Sequence, residues 1–290
     1  MASVFPLIII IYIGYYIALG LYGLENRTLK LSEGMEYSRK FIPFNSKKAV
    51  IHIIKIDMNY VKISISTPSV VDTIIKNSAI TTTEALLKYG ADIAINGSFF
   101  TPFKDSHLFD YYPHRGDLVT PVGATFSGDK LYGLLSAEWP VFVVYKNDEV
   151  DIKSNTNGLY SDLNLKKPLV EYMLSGRSIL IDNGIAIKNS DSTLYPRTAI
   201  GISKDQEVLW LFVVDGKQPF YSNGVSLNFL SDLMISTGVN KALELDGGGS
   251  ATMAWVNPRT EKPELLNRPI HTKIPNRERP VANHILVYVK

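Results

Sequence analysis

Residues Lys241–Met253 read KALELDGGGSATM, and the rest of the chain can be organised around this stretch. An apolar run of strand length ends at Asp246 and is followed by three glycines and Ser250. Glycine permits positive φ and close approach to the backbone, so the pattern predicts a strand that turns tightly after an aspartate. The carboxylate would lie at the mouth of the bend, with the amides of Gly248–Ser250 free to bind an anion. An ordinary glycine-rich turn after a core strand fits the same residues.

The composition is that of a folded protein without a nucleic-acid partner. Of the 290 residues, 46% are hydrophobic and 20% are charged, which differs from the composition of disordered chains. The net charge is +2, and no block rich in lysine or arginine is present, so we predict no binding to nucleic acid. Cysteine is absent, which excludes disulfides, a thiol nucleophile and cysteine-ligated zinc. None of these features determines an oligomeric state.

The N-terminal segment is apolar and long enough to cross a bilayer. Val4–Leu24 contains no charged side chain, and about 20 apolar residues suffice for a membrane-spanning helix. A buried core helix would be shorter and amphipathic. We therefore predict a hydrophobic helix at residues 1–24, either a signal anchor or a cleaved signal peptide, with the following domain exported. The polar residues 25–46 suit a linker, and 47–290 are predicted to form one folded domain.

The pattern of this domain predicts an α+β fold with a mixed, mainly antiparallel sheet and a few packed helices. Ala49–Met58 and Val61–Thr67 are rich in β-branched residues and are interpreted as the two strands of a hairpin. The sequence TTTE at 81–84 predicts a capped helix start, and Gly90 its end. Leucines and a methionine at helical spacing predict a second helix over Ser226–Thr237.

The segment Thr101–Asp117 has the character of a long loop and contains His107, Asp110 and His114. Long loops in compact domains often act as functional lids, although some are simple excursions. Two histidines and an aspartate are able to bind a metal, but their spacing matches no established metal motif. A histidine–metal hydrolase is therefore kept as an alternative. His52, in the first predicted strand, is interpreted as a packed histidine rather than a ligand.

Several predicted strands begin or end in small groups of polar residues. These groups are Asn96-Gly97, Arg197-Thr198, Asp215-Gly216, Asp246-Gly247 and Arg279. If they meet at one sheet edge, they supply two carboxylates, two guanidiniums and an amide. Two carboxylates can act as acid, base or nucleophile on a glycosidic bond, and arginine binds phosphate oxygens in a bidentate manner. The set thus indicates a substrate with both an acetal-like carbon and a phosphate. Structural ion pairs among the same residues are the alternative.

Five motifs carry a resemblance to a known family. They are NGSFF at 96–100, PRTAIG at 196–201, VVDG at 213–216, LDGGGS at 245–250 and RPVAN at 279–283. In their order and context they resemble the phosphodiester glycosidase family, which includes an enzyme that removes N-acetylglucosamine from a phosphodiester. The resemblance covers roughly Ala49–Lys290 and is strongest from Arg197 onward.

The resemblance implies a hydrolase that cleaves a sugar-1-phosphodiester at the anomeric carbon and releases free sugar, with 47–290 as the catalytic domain. Carried over by position, it implies that Asp246 and Asp215 are catalytic. It also implies that Asn96, Arg197, Ser250 and Arg279 are site residues. Together with the neighbouring strand-end and bend residues Gly97, Thr198, Gly247, Gly248 and Gly249, they form the predicted substrate-binding set. Family members usually have asparagine at the position of Glu244. Strand alternation places Glu244 on the same face as Asp246, so Glu244 is a further catalytic candidate or an ion-pair partner.

The expected mechanism follows from these assignments. Arg197 and Arg279 would neutralise the phosphodiester, and Asp246 would act as the nucleophile or as the base for water, with Asp215 as the second carboxylate. A carboxyl separation of about 5 Å would give retention, and one of about 6.5–9.5 Å inversion. No cofactor is implied, although a calcium ion at Asp246 is compatible with the residues. A non-catalytic protein that binds phosphate-containing surface glycans in the same pocket is the alternative from another class.

Overall fold

The computed structural model describes part of the chain. The described residues are Ile10, Gly14, 25–44, 47–67, 69–71, 74–107, 109–135, 137–154 and 169–290. The hydrophobic helix predicted at 1–24 lies outside them, apart from Ile10 and Gly14, as does the side chain of His107. Within the described ranges, no helix has the length and hydrophobicity that a membrane crossing requires.

The described residues form 26 strands and two α-helices. The first thirteen strands are β1 (Arg27–Ser32), β2 (Met35–Phe44), β3 (Lys47–Asp57), β4 (Val61–Ile65), β5 (Ser69–Val71), β6 (Ile74–Ser78), β7 (Ile93–Asn96), β8 (Phe100–Thr101), β9 (Lys104–His107), β10 (Asp110–Tyr112), β11 (Leu118–Pro121), β12 (Thr125–Ser127) and β13 (Lys130–Tyr132). The others are β14 (Val141–Tyr145), β15 (Val150–Lys153), β16 (Val170–Ser175), β17 (Ile179–Asp182), β18 (Ile185–Ala186), β19 (Arg197–Ile202), β20 (Val208–Val214), β21 (Lys241–Leu245), β22 (Met253–Asn257), β23 (Lys262–Leu265), β24 (Ile270–His271), β25 (Ile274–Pro275) and β26 (His284–Val289). The helices are α1 (Thr82–Tyr89) and α2 (Leu227–Ser236), and 3₁₀ turns occupy Met58–Tyr60 and Gly248–Ser250.

The strands assemble mainly into three sheets. Sheet 1 has the order β1-β2-β3-β20-β19-β21-β17-β18, sheet 2 the order β23-β22-β7-β26-β4, and sheet 3 the order β13-β12-β16-β14-β15. Smaller groups are β5-β6-β11-β8 and the pairs β9-β10 and β24-β25. The prediction of mainly antiparallel sheet is confirmed. The predicted mixed character is limited, in the described part of the chain, to two isolated parallel bridges, and the helical share is small.

Period-2 alternation explains how sheets 1 and 2 pack. In β7, Ile93 and Ile95 join a core shared with sheet 1, whereas Ala94 between them packs with α1. In β20, Leu211 joins the same shared core, whereas Phe212 packs with α2. Sheets 1 and 2 therefore lie face to face, with α1 on the outer side of sheet 2 and α2 on that of sheet 1. Both faces of these strands are buried, which accounts for their continuous apolar sequences.

Two predictions about the first part of the chain differ from the structure. Residues 25–46, predicted as a linker, contain β1 and β2, and β2 pairs with β3 from Met35↔Ile56 to Phe44↔Lys47. The predicted hairpin of β3 and β4 is wrong, because β3 lies between β2 and β20 whereas β4 pairs with β26 in sheet 2. The turn at Met58–Tyr60 carries the chain from one sheet to the other. Strand alternation shows which residues face a core, but it does not identify the pairing partner.

Both predicted helices are present, because their end signals are local. At the start of α1, Thr81 Oγ1 accepts from the Glu84 amide while the Glu84 carboxylate accepts from the Thr81 amide. Gly90 ends this helix with a φ of +64°. In α2, Ser226 caps the amide of Phe229. The two helix predictions are confirmed.

Candidate active site

A cavity of about 490 Å³ opens where the ends of β7, β19 and β21 meet. Its lining residues are Phe99, Phe100, Phe103, Asp105, Arg177, Asp191, Thr193, Tyr195, Arg197, Lys217, Glu244, Asp246, Gly247 and Arg279. This volume is typical of small-molecule sites. Four cations, four carboxylates and four aromatic rings line it, which suits a ligand with both charged and apolar faces.

Asp246 reaches the cavity because hydrogen bonds join the strand ends around it. The Asp246 amide donates to the Gly97 carbonyl at 3.0 Å, and the Asp246 carbonyl accepts from Asn96 Nδ2 at 2.6 Å. Asn96 Oδ1 accepts from Thr198 Oγ1 at 2.9 Å and from the Thr252 amide at 3.1 Å. Asn96 and Thr198 are fully buried and do not line the cavity. They position Asp246. They were predicted to contact substrate, but in the structure they lie behind the cavity wall.

The glycines after the strand end allow close packing. A Cβ on Gly247 would lie 2.5 Å from the Pro196 carbonyl oxygen, and a Cβ on Gly249 would lie 2.5 Å from Arg279 Nη2. Gly248 has a φ of +61°, and its amide donates to the Pro196 carbonyl at 2.9 Å. The Ser250 amide donates to the Gly247 carbonyl at 3.1 Å. The amides of Gly248 and Ser250, which were predicted to bind an anion, are therefore used within the protein.

The surroundings of the Asp246 carboxylate alter its proton affinity. Burial raises the pKa of Asp246 to about 6; attraction to Arg279 and a hydrogen bond from Ser250 oppose the rise, and repulsion from Glu244 adds to it. In the described part of the chain, the Asp246 carboxylate forms no ion pair. It is ionised at neutral pH and able to take up a proton slightly below it, as a base or nucleophile requires.

Glu244 lies two residues before Asp246 and also faces the cavity. Its Oε1 accepts from Arg197 Nη1 at 3.3 Å, and its Oε2 from Ser178 Oγ at 2.6 Å. Arg197 Nη2 donates to the Thr193 carbonyl at 3.2 Å and Nε to the Val225 carbonyl at 3.3 Å, and Nη2 lies 3.6 Å from the Asp191 carboxylate. Each of the three guanidinium nitrogens of Arg197 thus donates to a partner within the protein, and the residue orients Glu244. The ion-pair alternative for these two residues agrees with the geometry.

Arg279, the second predicted arginine, is paired in the same way. Its guanidinium forms an ion pair with Asp105, which belongs to the segment 101–117 that was predicted as a long loop, and stacks on the Phe103 ring at 4.5 Å. It also donates to Ser250 Oγ at 3.2 Å and to His271 Nδ1 at 3.3 Å. Arg279 therefore anchors the loop to the strand end that carries Asp246.

His271 supports this anchor as a neutral ring. Burial, together with the charges of Arg279 and Arg277, lowers the pKa of His271 to about 3. Because Nδ1 accepts from Arg279, the proton of the neutral ring is on Nε2, which has no hydrogen-bond partner among the described residues. The ring contacts Tyr111 edge to face at 4.8 Å.

Asp215, the predicted second carboxylate, lies outside the cavity. Its Oδ2 accepts from His52 Nε2 at 2.9 Å and from the Tyr221 hydroxyl at 2.8 Å. Its Oδ1 accepts from Asn267 Nδ2 at 2.9 Å, and the Arg268 amide donates to both oxygens. The Asp215 side chain has no exposed surface. The groups that donate to it come from three separate segments of the chain. The local motif, a strand that ends in Asp-Gly, therefore could not reveal that the carboxylate is enclosed.

Other lining residues were not identified from the sequence. Arg177 follows Gly176 and lies two residues before β17, in a short polar group that resembles those at the other strand ends. Lys217 directly follows Asp215-Gly216, and Asp105 comes from the predicted long loop 101–117. No group of three or more His, Asp or Glu side chains in the described ranges is arranged to bind a metal ion. The alternative built on His107 and His114 lies partly outside those ranges.

Comparison with known proteins identifies the family. No curated protein matches the sequence significantly. The structure is similar to the catalytic domain of zebrafish N-acetylglucosamine-1-phosphodiester α-N-acetylglucosaminidase, auto-inhibited by its pro-peptide, with a TM-score of 0.63, 18% identity and coverage of 92% of this chain and 88% of that one. It is also similar to a hypothetical protein from Synechocystis, with a TM-score of 0.59, 14% identity and coverage of 92% and 64%. These similarities show the shared fold. A family model described as phosphodiester glycosidase matches residues 89–288, well over half of the sequence, and the chain belongs to the phosphodiester glycosidase family.

Proposed function

We propose that this protein hydrolyses a sugar-1-phosphodiester of the N-acetylglucosamine-1-phosphodiester type at the anomeric carbon and releases the free sugar. The observation that carries the proposal is a cavity in which Asp246, with a pKa of about 6, lies beside Glu244 and among four cations. Membership of the family supports a glycosidase-type hydrolase. The activity named for the zebrafish enzyme supports the substrate class.

The chemistry breaks the bond between the anomeric carbon and the phosphate oxygen. The phosphate monoester leaves with the bonding electrons, and water supplies the hydroxyl group of the free sugar. The other proton of this water passes to the catalytic carboxylate and then to solvent or to the released phosphate monoester. Asp246 either attacks the anomeric carbon, forming an ester that water then hydrolyses, or removes a proton from the attacking water. A phosphate leaving group needs little protonation, so the reaction does not require a second carboxylic acid. The enclosure of Asp215 is therefore compatible with this mechanism.

Glu244 has a different part in the proposed reaction. Its ion pair with Arg197 fixes its orientation, and it would stabilise the positive charge that develops on the sugar carbon in the transition state. Alternate residues of one strand are separated by about 6.6 Å along the strand, which does not by itself separate retention from inversion. The anomeric configuration of the released sugar, followed by NMR during turnover, assigns Asp246 as nucleophile or as base.

Incubation with a panel of phosphodiester-linked sugars, analysed by mass spectrometry, tests the function directly. We expect release of free sugar from at least one donor, and no release by Asp246→Asn. The wild type should release sugar in the presence of a metal chelator to the same extent as without it. Tight binding of a donor by the wild type without release from any member would contradict hydrolysis and favour the glycan-binding alternative.

We also propose that the domain works outside the cytoplasm, tethered or delivered by the apolar segment Val4–Leu24. The support is the absence of charge and the length of this segment. Cell fractionation with a reporter fused to the C-terminus, followed by N-terminal sequencing, distinguishes an anchored from a cleaved form. Recovery of reporter and full-length chain in the cytoplasm would refute export.

A further inference from the structure

The four cations of the cavity fall into two classes. Arg197 and Arg279 are 7% and 5% exposed, and each forms ion pairs with carboxylates. Arg177 and Lys217 are exposed, and in the described part of the chain neither forms an ion pair. When the ion-paired side chains are set aside, the cavity contains two cations, Arg177 and Lys217, and one carboxylate, Asp246. The charge available to an incoming anion therefore resides on Arg177 and Lys217.

The backbone of Arg177 is attached to the strand that carries the carboxylates. Its amide donates to the Glu244 carbonyl at 2.9 Å, and a Cβ on the preceding Gly176 would lie 2.2 Å from that same oxygen. The guanidinium lies 6.0 Å from the centre of the Phe99 ring, a face contact that orients it without using its hydrogen-bond donors. The planar donors of arginine match phosphate oxygens.

Lys217 is held at the cavity wall by Tyr195. Its Nζ donates to the tyrosine hydroxyl at 2.7 Å and lies 3.9 Å from the ring centre. These contacts locate the ammonium without neutralising it. The backbone of Lys217 has a φ of +54°, a conformation that lysine seldom adopts, which directs the side chain from the turn after β20 to this position.

We propose that Arg177 and Lys217 hold the substrate phosphate, and that Arg197 and Arg279 are positioning residues for Glu244 and the loop of Asp105. The assignment rests on the proposed function, and it reverses the expectation that the two buried arginines neutralise the phosphodiester. If Arg197 bound phosphate, the buried Glu244 would lose its ion-pair partner, which is unfavourable. If Arg279 bound phosphate, the phosphate would compete with its ion pair to Asp105 and its hydrogen bonds to Ser250 and His271. Arg177 and Lys217 bind an anion without breaking an existing ion pair.

The test compares Arg177→Gln and Lys217→Gln with charge-matched controls. The controls are Arg259→Gln and Lys204→Gln. Arg259 lies in the exposed turn after β22, and Lys204 lies at the opposite end of β20 from Lys217; neither residue lines the cavity. Calorimetry measures binding of N-acetylglucosamine 1-phosphate and of unphosphorylated N-acetylglucosamine. Kinetics compares a phosphodiester donor with a neutral aryl glycoside of the same sugar.

We expect each site variant to weaken binding of the sugar phosphate by about tenfold to a hundredfold, the value of a hydrogen bond to a charged group, and to spare the neutral sugar and the aryl glycoside. The control variants should bind the sugar phosphate with the affinity of the wild type and should have its kinetic constants. Equal loss for phosphorylated and neutral ligands, wild-type affinity in the site variants, or no phosphate-dependent binding by the wild type would overturn the assignment. Phosphate-dependent binding without turnover would instead overturn the proposed function and leave the phosphate site standing.

Discussion

Asp215 and Asp246 have the same local sequence but different surroundings. Each follows an apolar strand, β20 or β21, and each precedes a glycine that packs on Pro196. A Cβ on Gly216 would lie 2.8 Å from the Pro196 nitrogen, and one on Gly247 2.5 Å from its carbonyl oxygen. Asp215 is enclosed by four hydrogen-bonding groups, whereas Asp246 faces the cavity. An Asp-Gly pair at a strand end thus predicts the turn, but not the solvent access of its carboxylate.

Asp215 and Asp246 were both predicted to be catalytic, but their surroundings give them opposite roles. A carboxylate with every oxygen occupied stabilises the fold and has no electron pair free for chemistry. A carboxylate that is buried without an ion pair costs stability and gains reactivity. Isosteric substitutions at both positions therefore give a direct test.

Asp246→Asn should have the largest effect on activity. We expect kcat/KM on a phosphodiester donor to fall by about 10²- to 10⁴-fold, the usual range for losing a catalytic base. The Tm should not fall, because the raised pKa means that the folded state disfavours the Asp246 charge. Steady-state kinetics and a thermal melt at pH 7.5 measure both. Retained activity would remove Asp246 from the mechanism.

Asp215→Asn should show the reverse pattern. The amide cannot accept from all the donors that surround Asp215, so the free energy of unfolding should fall by about 3 kcal/mol. The folded fraction should keep kcat within a few-fold of the wild type. Urea titration, with activity measured at matched folded fraction, gives both values. A hundredfold loss of kcat at unchanged stability would return Asp215 to the chemistry.

The pH dependence should separate activity from stability. Since Asp246 must be ionised to act as nucleophile or base, kcat/KM should rise through pH about 6, with about a tenfold change per pH unit below it. The folded pKa lies above the unfolded value of about 3.9, so the contribution of Asp246 to stability is present below pH 4 and is lost as the pH rises through 6. Activity that falls over this interval would indicate a general acid. Asp246→Asn should abolish this stability trend.

Alanine at the two glycines gives the smallest predicted effect. Gly216→Ala and Gly247→Ala both place a methyl group against Pro196, so each should lower stability by about 1–3 kcal/mol. Gly247→Ala should also lower kcat, because it displaces the neighbouring Asp246, whereas Gly216→Ala should not. Chemical unfolding and kinetics at saturating donor test the pair. Equal kcat values for the two variants would argue that the bend does not position the reactive carboxylate.

The sequence signals that correctly predicted elements of the fold were local. The two helices followed from caps within four residues of their starts, and strands followed from alternation. Of the residues singled out in sequence, Glu244, Asp246, Gly247, Arg197 and Arg279 do line the cavity. These positions could be anticipated because a polar residue at the end of a buried strand has to reach the edge of the sheet.

By itself, the sequence determined that the chain forms buried antiparallel strands, two capped helices and a glycine bend after Asp246, and its motifs indicated the family. The tertiary structure alone decided that β3 and β4 separate into different sheets and that Asp215 is enclosed. It also decided that Arg197 and Arg279 form ion pairs, whereas Arg177 and Lys217 form none with the described residues. The physical reason is the range of the contacts. Asn96 binds Asp246 across 150 residues, and Arg279 binds Asp105 across 174, so the partner that satisfies or exposes each charge is absent from its local sequence.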